Sequence, residues 1–382
     1  MKKKLVLTTV LLVCSAAFIL FIANQPKKKS VTVVSLKKSE LIICDESLVE
    51  DEKDLNLSQL VEDMQIIHLD NRDEAFTKCE WMYFSENYFC IRGGNVVKLF
   101  EKSGKYLCDV GSKGNGPGEY RFPYDILIDE ADRSIYVSDI VGEYILKYNM
   151  KGAFVRKISF GERLNKPRIF LNTDSTFSLA HLCFKDMDNQ FVAANIQLHN
   201  NDSIKYTYVE ELTSNFKNKA GQKVGIENEI WSYRNTPNFP FAMTHTDTLY
   251  HYNSIKNEIS ARFTMKIDKE KKGVRFIILN ELPHHYLIVI VGGKGGRILV
   301  NKKTHEASYV NITNDSLGNM STSLKFQDGY SFAMYEPTAL REKIVKHLLS
   351  GNCPDDEINK LDKLKDSLKD NDNNVLILGK LK

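Results

Sequence analysis

Residues 87–110 read NYFCIRGGNVVKLFEKSGKYLCDV, and residues 134–158 read SIYVSDIVGEYILKYNMKGAFVRKI. Each stretch contains two short runs of alternating apolar residues, a turn closed by glycine, and a third run. Alternation with a period of two marks strands with one buried face. Gly104 and Gly152 occupy the same turn and stand 48 residues apart. A repeat of that length built from strands and turns predicts the blades of a β-propeller, an architecture that hosts many unrelated functions.

Working outward from the repeat, a first blade takes strands at 78–84, 87–92, 96–100 and 106–110, and a second at 123–129, 134–138, 144–148 and 154–159. A third falls at 167–171, 176–183, 191–198 and 204–209, and a fifth at 273–280, 285–291, 297–301 and 307–312. The fourth, at 229–234, 239–244, 248–252 and 258–267, parses least cleanly, so that five or seven blades also fit. A sixth opens with 322–327 and 330–335, and then the period changes. Apolar residues from Leu340 to Leu349 and from Ile358 to Leu368 step by three and four, which predicts two amphipathic helices in an insertion at 338–370. The final VLILGKLK is too apolar for a free tail. Residues 374–381 are expected to join the sixth blade beside MQIIHL at 64–69, closing the ring with both chain ends. The expected fold is all-β: a six-bladed β-propeller over 64–382, with an N-terminal hydrophobic helix and a two-helix insertion near the C-terminus.

At the N-terminus Lys2, Lys3 and Lys4 precede a 19-residue apolar run from Leu5 to Ala23, and Lys27 to Lys29 follow Pro26. A basic segment before an apolar one is an export signal. As a helix the run spans roughly 28 Å, about one bilayer core. Residues 1–30 are therefore read as a signal-anchor or a signal peptide with a basic flank, lipidation at Cys14 being a third alternative, and 31–63 as a tether, with a short added strand at the β-like VTVVSL as an alternative. All three readings put the bulk of the chain outside the cytoplasm, periplasmic or at the surface, with the N-terminal segment meeting the membrane. Net charge is +3, and Lys and Arg are interleaved with acidic residues, which argues against a nucleic-acid partner. The seven cysteines form no C-x-x-C pair, so neither a zinc site nor a disulfide framework is expected. In the first hairpin Cys90 is expected opposite Trp81, with Cys79 diagonal to it.

The segment GSKGNGPGEYRFPYDI at 111–126, with IYVSD at 135–139 and ILKY at 145–148, resembles the six-bladed β-propeller family of exported bacterial envelope proteins, related to NHL-repeat and TolB-like propellers. The close resemblance covers residues 78–160 and implies the fold and export, with no particular reaction. Many such relatives carry a lipoprotein cysteine at the end of the apolar segment, whereas Cys14 sits within it. Read physically, the glycines and Pro117 of 111–118 exclude a strand interior and make a loop from the outer strand of one blade to the inner strand of the next. Gly114, Gly116 and Gly118 permit positive φ there, and Glu119 would cap nearby N–H groups. The structural loop and turn residues are thus Gly104, Gly114, Gly116, Pro117, Gly118, Glu119, Asp139 and Gly152. Asp followed by Ser or Thr at 174, 202, 247, 315 and 366 resembles an O-glycosylation signal of some envelope proteins, and equally suits turns entering strands.

Catalytic signatures are sparse. The chain has no G-x-S-x-G, and Gly292–Gly296 lacks the spacing of a phosphate loop and is expected to be a hairpin turn. His284 and His285 point to opposite strand faces; His181, His245 and His251 would have to converge in the channel to bind a metal. No catalytic residue, metal ligand or cofactor is assigned. The expected function is an exported or membrane-tethered, non-catalytic binding scaffold for a protein or glycan partner in the cell envelope. The alternative is a propeller lyase or hydrolase acting on a carbohydrate or lactone with a channel metal ion.

Overall fold

The computed structural model describes residues 29–36, 39–174, 176–197, 203–351 and 353–382. Residues 1–28, which carry the expected export segment, lie outside that set. The expected six blades are found. Blade 1 comprises Trp81–Phe84, Tyr88–Gly93, Val96–Glu101 and Tyr106–Asp109, and blade 2 comprises Pro123–Asp129, Ser134–Asp139, Val141–Asn149 and Phe154–Asn165. Blade 3 is built from Arg168–Leu171, Phe177–Ala180, Ala193–Ile196 and Ile204–Thr207. Blade 4 starts at Ile230–Trp231 and runs through Phe239–Met243 and Thr248–Asn253 to Glu258–Lys266; blade 5 takes Val274–Glu281, His285–Gly292, Gly296–Asn301 and Ala307–Asn314. Blade 6 joins Lys325–Gln327 and Tyr330–Tyr335 to Val375–Leu381 and, outermost, Val61–His68.

The 48-residue repeat has a packing cause. Gly104 has φ +92°, and a Cβ there would stand 2.5 Å from the carbonyl of His68, at the end of the outer strand of blade 6. Gly152 has φ +75°, and its Cβ would stand 1.9 Å from the carbonyl of Asp109, at the end of the outer strand of blade 1. Two residues beyond each contact the bond repeats: Asp70 N donates to Gly104 O, and Gly111 N to Gly152 O, both at 3.0 Å. Each glycine is where one blade's turn lies against its predecessor.

Every seam between neighbouring blades holds an apolar cluster. Blades 6 and 1 share Phe84, Phe89, Phe332 and Leu376, and blades 2 and 3 share Tyr136, Phe160, Phe177 and Phe191. The closing strand is deeply buried: Val375, Leu376, Ile377 and Leu378 are at most 2% exposed, and each stabilises the ring by about 1.5–3 kcal/mol. A Cβ at Gly379 would lie 2.4 Å from Met64 Sδ, where the ladder slips between Leu378 and Lys380. The two expected helices, Pro337–Leu349 and Asp355–Ser367, sit between the second and third strands of this blade. Their inward residues Leu340, Ile344 and Leu361 pack on Ala333, Val375 and Ile377.

Two expectations are corrected. Residues 31–63 are not a free tether. Val31–Ser35 and Glu40–Asp45 form a hairpin that extends blade 4, and Glu52–Asn56 runs parallel to the outer strand of blade 5. Buried Glu46 fixes this lead, accepting from Lys272 Nζ at 2.7 Å and from the Tyr309 hydroxyl. Isolated strands read from sequence carry no record of such distant edges. Cys90 pairs with Tyr83, and Trp81 with Arg92, because Ser85 N bonds Tyr88 O, which centres the turn on residues 86–87, one residue later than the expected pairing requires. Among the described residues Cys44, Cys79, Cys90, Cys108, Cys183 and Cys353 are free.

Removing Val375–Lys382 takes the third strand from blade 6 and leaves Val61–His68 without a partner in its sheet. The truncated chain is expected to lose its cooperative thermal transition in circular dichroism, and Leu376→Ala alone to cost about 2–5 kcal/mol in urea unfolding. An unchanged melting curve for the truncation would refute closure by the chain ends.

Candidate ligand funnel on the propeller axis

Because the inner strands meet on the axis, their first residues surround one end of the channel. A cavity of about 410 Å³ opens there, lined from all six blades. Aromatic rings make much of its wall. Trp231 lies over Phe276 with centroids 5.9 Å apart and planes 20° apart, and Trp81 packs on Tyr233 at 6.2 Å. Ile278, Leu287 and Val289 of blade 5 supply an apolar side.

The charged lining is mostly cationic: Arg92, Arg168, Arg297 and Lys325 against Glu229. Arg168 is held firmly. Its Nε donates to Ile230 O at 2.8 Å, its Nη2 to Tyr124 Oη at 3.0 Å, and its guanidinium stacks 4.2 Å over the Tyr124 ring. Lys325 sits 4.6 Å over Trp81, and burial lowers its pKa. Glu229 meets Lys166 Nζ at 3.0 Å and Arg168 Nη2 at 4.0 Å, but burial prevails and pushes its carboxyl up to about 7. Arg297 is half-buried, and among the described residues its guanidinium makes no hydrogen bond or ion pair. Two further lining groups, Arg92 Nε and Ser232 Oγ, are buried without a hydrogen-bond partner.

Below the funnel three alternate blades meet. Arg234 of blade 4 donates through Nη1 to Asp125 Oδ2 of blade 2 at 2.8 Å and through Nε to Asp328 Oδ1 of blade 6 at 2.6 Å. It also reaches the carbonyls of Ile169, at 3.0 Å, and Ile126, at 2.7 Å. The carboxylates reach onward to the next blade: Asp125 accepts from Ile169 N and Asp328 from Phe84 N, both at 2.9 Å. Burial opposes the Arg234 cation, yet the two carboxylates raise its pKa above the ordinary value. Burial likewise holds Asp328 above its ordinary range despite Arg234. A second cavity of about 240 Å³, bordered by Phe84, Leu127 and Phe170, lies on the far side of Arg234. The trio is thus a plug, and the funnel is closed at its inner end.

None of the expected loop and turn residues lines the funnel. In the loop ahead of blade 2, Gly118 has φ +77°, whereas Gly114 and Gly116 are not at positive φ. A Cβ at Gly114 would lie 1.8 Å from the Glu119 carboxylate and one at Gly116 3.0 Å from it, while Glu119 Oε2 accepts from Gly116 N at 2.7 Å. Pro117 lies within this turn, which Glu119 N closes on Gly116 O at 3.1 Å, and Asp139 accepts from Phe122 N at 2.9 Å. The histidines are engaged separately. His181 Nδ1 accepts from Asn165 N at 3.2 Å, His251 Nε2 lies 2.5 Å from Glu281, and His245 has its pKa lowered by burial. Among the described residues no group of three or more His, Cys, Asp or Glu could hold a metal ion. The same residues include no helix long and apolar enough to cross a membrane. Of the Asp-Ser/Thr sites, Ser316 and Ser367 are exposed and Thr248 bonds Thr264; Ser175 and Asp202 lie outside the described residues. The funnel residues were missed because they are gathered from six blades far apart in sequence; the first residues of the inner strands signal part of them, such as Trp81, Arg168 and Lys325, whereas Arg92 and Arg297 come from second and third strands.

A six-bladed propeller with an axial funnel stoppered at one end is the class these features define. The chain belongs to the family described as "Domain of unknown function (DUF4934)", which matches residues 39–380. Among solved structures, a protein of Bacteroides fragilis NCTC 9343 provisionally described as exported is similar at a TM-score of 0.62 and 17% identity, over 90% of this chain and 99% of that one. A DUF4221 family member from Bacteroides vulgatus ATCC 8482 gives 0.48 and 11%, over 85% and 97%. Virginiamycin B lyase from Staphylococcus aureus gives 0.39 and 12%, over 65% and 73%. At these identities the likeness is one of fold. No curated protein matches the chain.

Arg234→Met would leave two buried carboxylates without their cation, and is expected to cost about 3–5 kcal/mol at pH 7 in urea unfolding. The loss should shrink as pH falls toward 4. A carboxyl whose folded pKa is raised contributes stability that is present below its unfolded value and is lost as pH rises through the folded one. A penalty independent of pH would show that the trio is not held by charge.

Proposed function

We propose that this protein is an exported, non-catalytic binding scaffold that holds a glycan or a protein segment in its axial funnel. The observation that carries the reading is the lining itself. Six rigid blades present flat aromatic rings and cationic groups to one concave site, while the channel carboxylates beneath are engaged by Arg234. A cavity of about 410 Å³ falls within the roughly 300–1,000 Å³ of small-ligand sites, so it suits a short chain end and not a folded domain. Export is supported by Lys2 to Lys4 and the apolar run after them, and the B. fragilis protein of the same fold is likewise described as exported. The resemblance of residues 78–160 to NHL-repeat and TolB-like envelope propellers supports the same location. The lyase or hydrolase alternative calls for histidines and carboxylates converging in the channel, and His181 and His251 instead face Glu162 and Glu281 in separate blades.

The chain's two tryptophans, Trp81 and Trp231, both line the funnel, so intrinsic fluorescence reports its occupancy directly. Ligands found by screening saccharides and peptides against the full chain are expected to change this emission, to be weakened by Trp231→Ala, and to be recovered chemically unchanged. Calorimetric binding with silent fluorescence would move the site off the axis, and a cleaved ligand would make the protein an enzyme.

A further inference from the structure

We infer that the funnel takes an acidic saccharide, its ring against the aromatic wall and its carboxylate or sulfate on the cationic side; the inference rests on the scaffold reading above. Three independent features of the lining converge on that chemistry. The first is charge. Arg92, Arg168, Arg297 and Lys325 face one cavity in a chain whose net charge is only +3. Glu229 is already engaged by Lys166, and the deeper carboxylates of Asp125 and Asp328 by Arg234. A cluster of like charges in a concave, partly dry site repels itself and draws in an anion. Arg297 is the group left over, and a guanidinium can grip a carboxylate or sulfate through two parallel N–H bonds.

The second feature is unmet hydrogen bonding. Arg92 Nε and Ser232 Oγ are buried in this wall without a partner. Buried polar groups normally have one, so a ligand rich in hydroxyls would complete the site. The third is shape. Trp231, braced by Phe276, and Trp81, braced by Tyr233, are half-buried flat surfaces held in place. Such rings suit the C–H face of a pyranose, whose equatorial hydroxyls then point to the polar groups at the rim. An acidic peptide would satisfy the charge, but it lacks the rigid ring that these braced surfaces match.

Full-length protein in detergent should be titrated with digalacturonate, with its neutral digalactose counterpart, with a sulfated digalactose and with tri-aspartate, by calorimetry and tryptophan fluorescence. Either acidic disaccharide is expected to bind at least about tenfold tighter than the neutral one, as a charge-assisted contact requires. The galacturonate and sulfate arms tell which anion is preferred. Arg297→Gln should remove about that tenfold while leaving the neutral sugar unaffected. Glu229→Gln should tighten acidic binding, a gain that misfolding does not produce. Equal affinity for the neutral disaccharide would overturn the inference and leave the scaffold standing. Binding of tri-aspartate alone would overturn it in favour of a peptide. Absence of binding by all four probes would overturn it too, the scaffold then resting on the broader screen.

Discussion

One guanidinium holds the middle of this ring. Six sheets that meet seam to seam are stable along their flanks, where apolar clusters pack, but their inner edges converge on an axis where backbone groups face an opening. Arg234 fills that opening and ties blades 2, 4 and 6, while its carboxylate partners Asp125 and Asp328 reach on to the backbones of blades 3 and 1. Dehydrating three charges is costly, and an apolar plug of the same volume could be equally stable. What the trio adds is position. Each bond has one geometry, so the inner strands of five blades are placed relative to one another. Arg234 itself has φ 51°, a left-handed conformation unfavourable for a side chain of this size, and is held there by four acceptors.

The second constraint is at the rim. Outer strands of propeller blades expose unpaired N–H and C=O groups, which invite pairing with other chains. Here the lead covers two of them. The hairpin at Val31–Asp45 is laid parallel on the last strand of blade 4, and Glu52–Asn56 parallel on that of blade 5, before the chain becomes the outer strand of blade 6. Lead and closing strand thus act together: the first residues of the described chain run around half the ring before meeting the last. Glu46, buried against Lys272 and Tyr309, pins the crossing between the two blades.

How far the sequence could be read follows from the range of each interaction. Strand pairs of four to eight residues announce themselves by alternation, and the glycine at 104 and 152 recurs because one seam contact recurs. The closing strand was legible because VLILGKLK has no soluble alternative. The lead was not, since the partner of Ile42 is Phe263 and nothing near Ile42 says so. Gly114 and Gly116 read as positive-φ glycines, but neither adopts one, and what stands over both is the Glu119 carboxylate folding back on them. Arg234 was invisible for a similar reason: its carboxylates lie 109 and 94 residues away. The funnel was hardest, since no two of its cations belong to one motif.

Plug and lining are nearly separate, and that separation has a functional meaning. Arg297 and Trp231 can change without touching the bonds of Arg234, so ligand preference can drift while the ring stays closed. Gln327, which lines the funnel and donates through Nε2 to Asp328 Oδ1 at 2.9 Å, is one exception, and Arg168 is the other. It lines the funnel, stacks on Tyr124, and lies 3.7 Å from Asp125 Oδ1, an oxygen with no hydrogen bond of its own. A ligand anion that drew Arg168 toward the opening would weaken its hold on Asp125, leaving that carboxylate to Arg234 and the Ile169 N–H. Binding strength and ring stability are therefore coupled through these side chains, whereas Arg297 and Trp231 are free to vary apart from the plug.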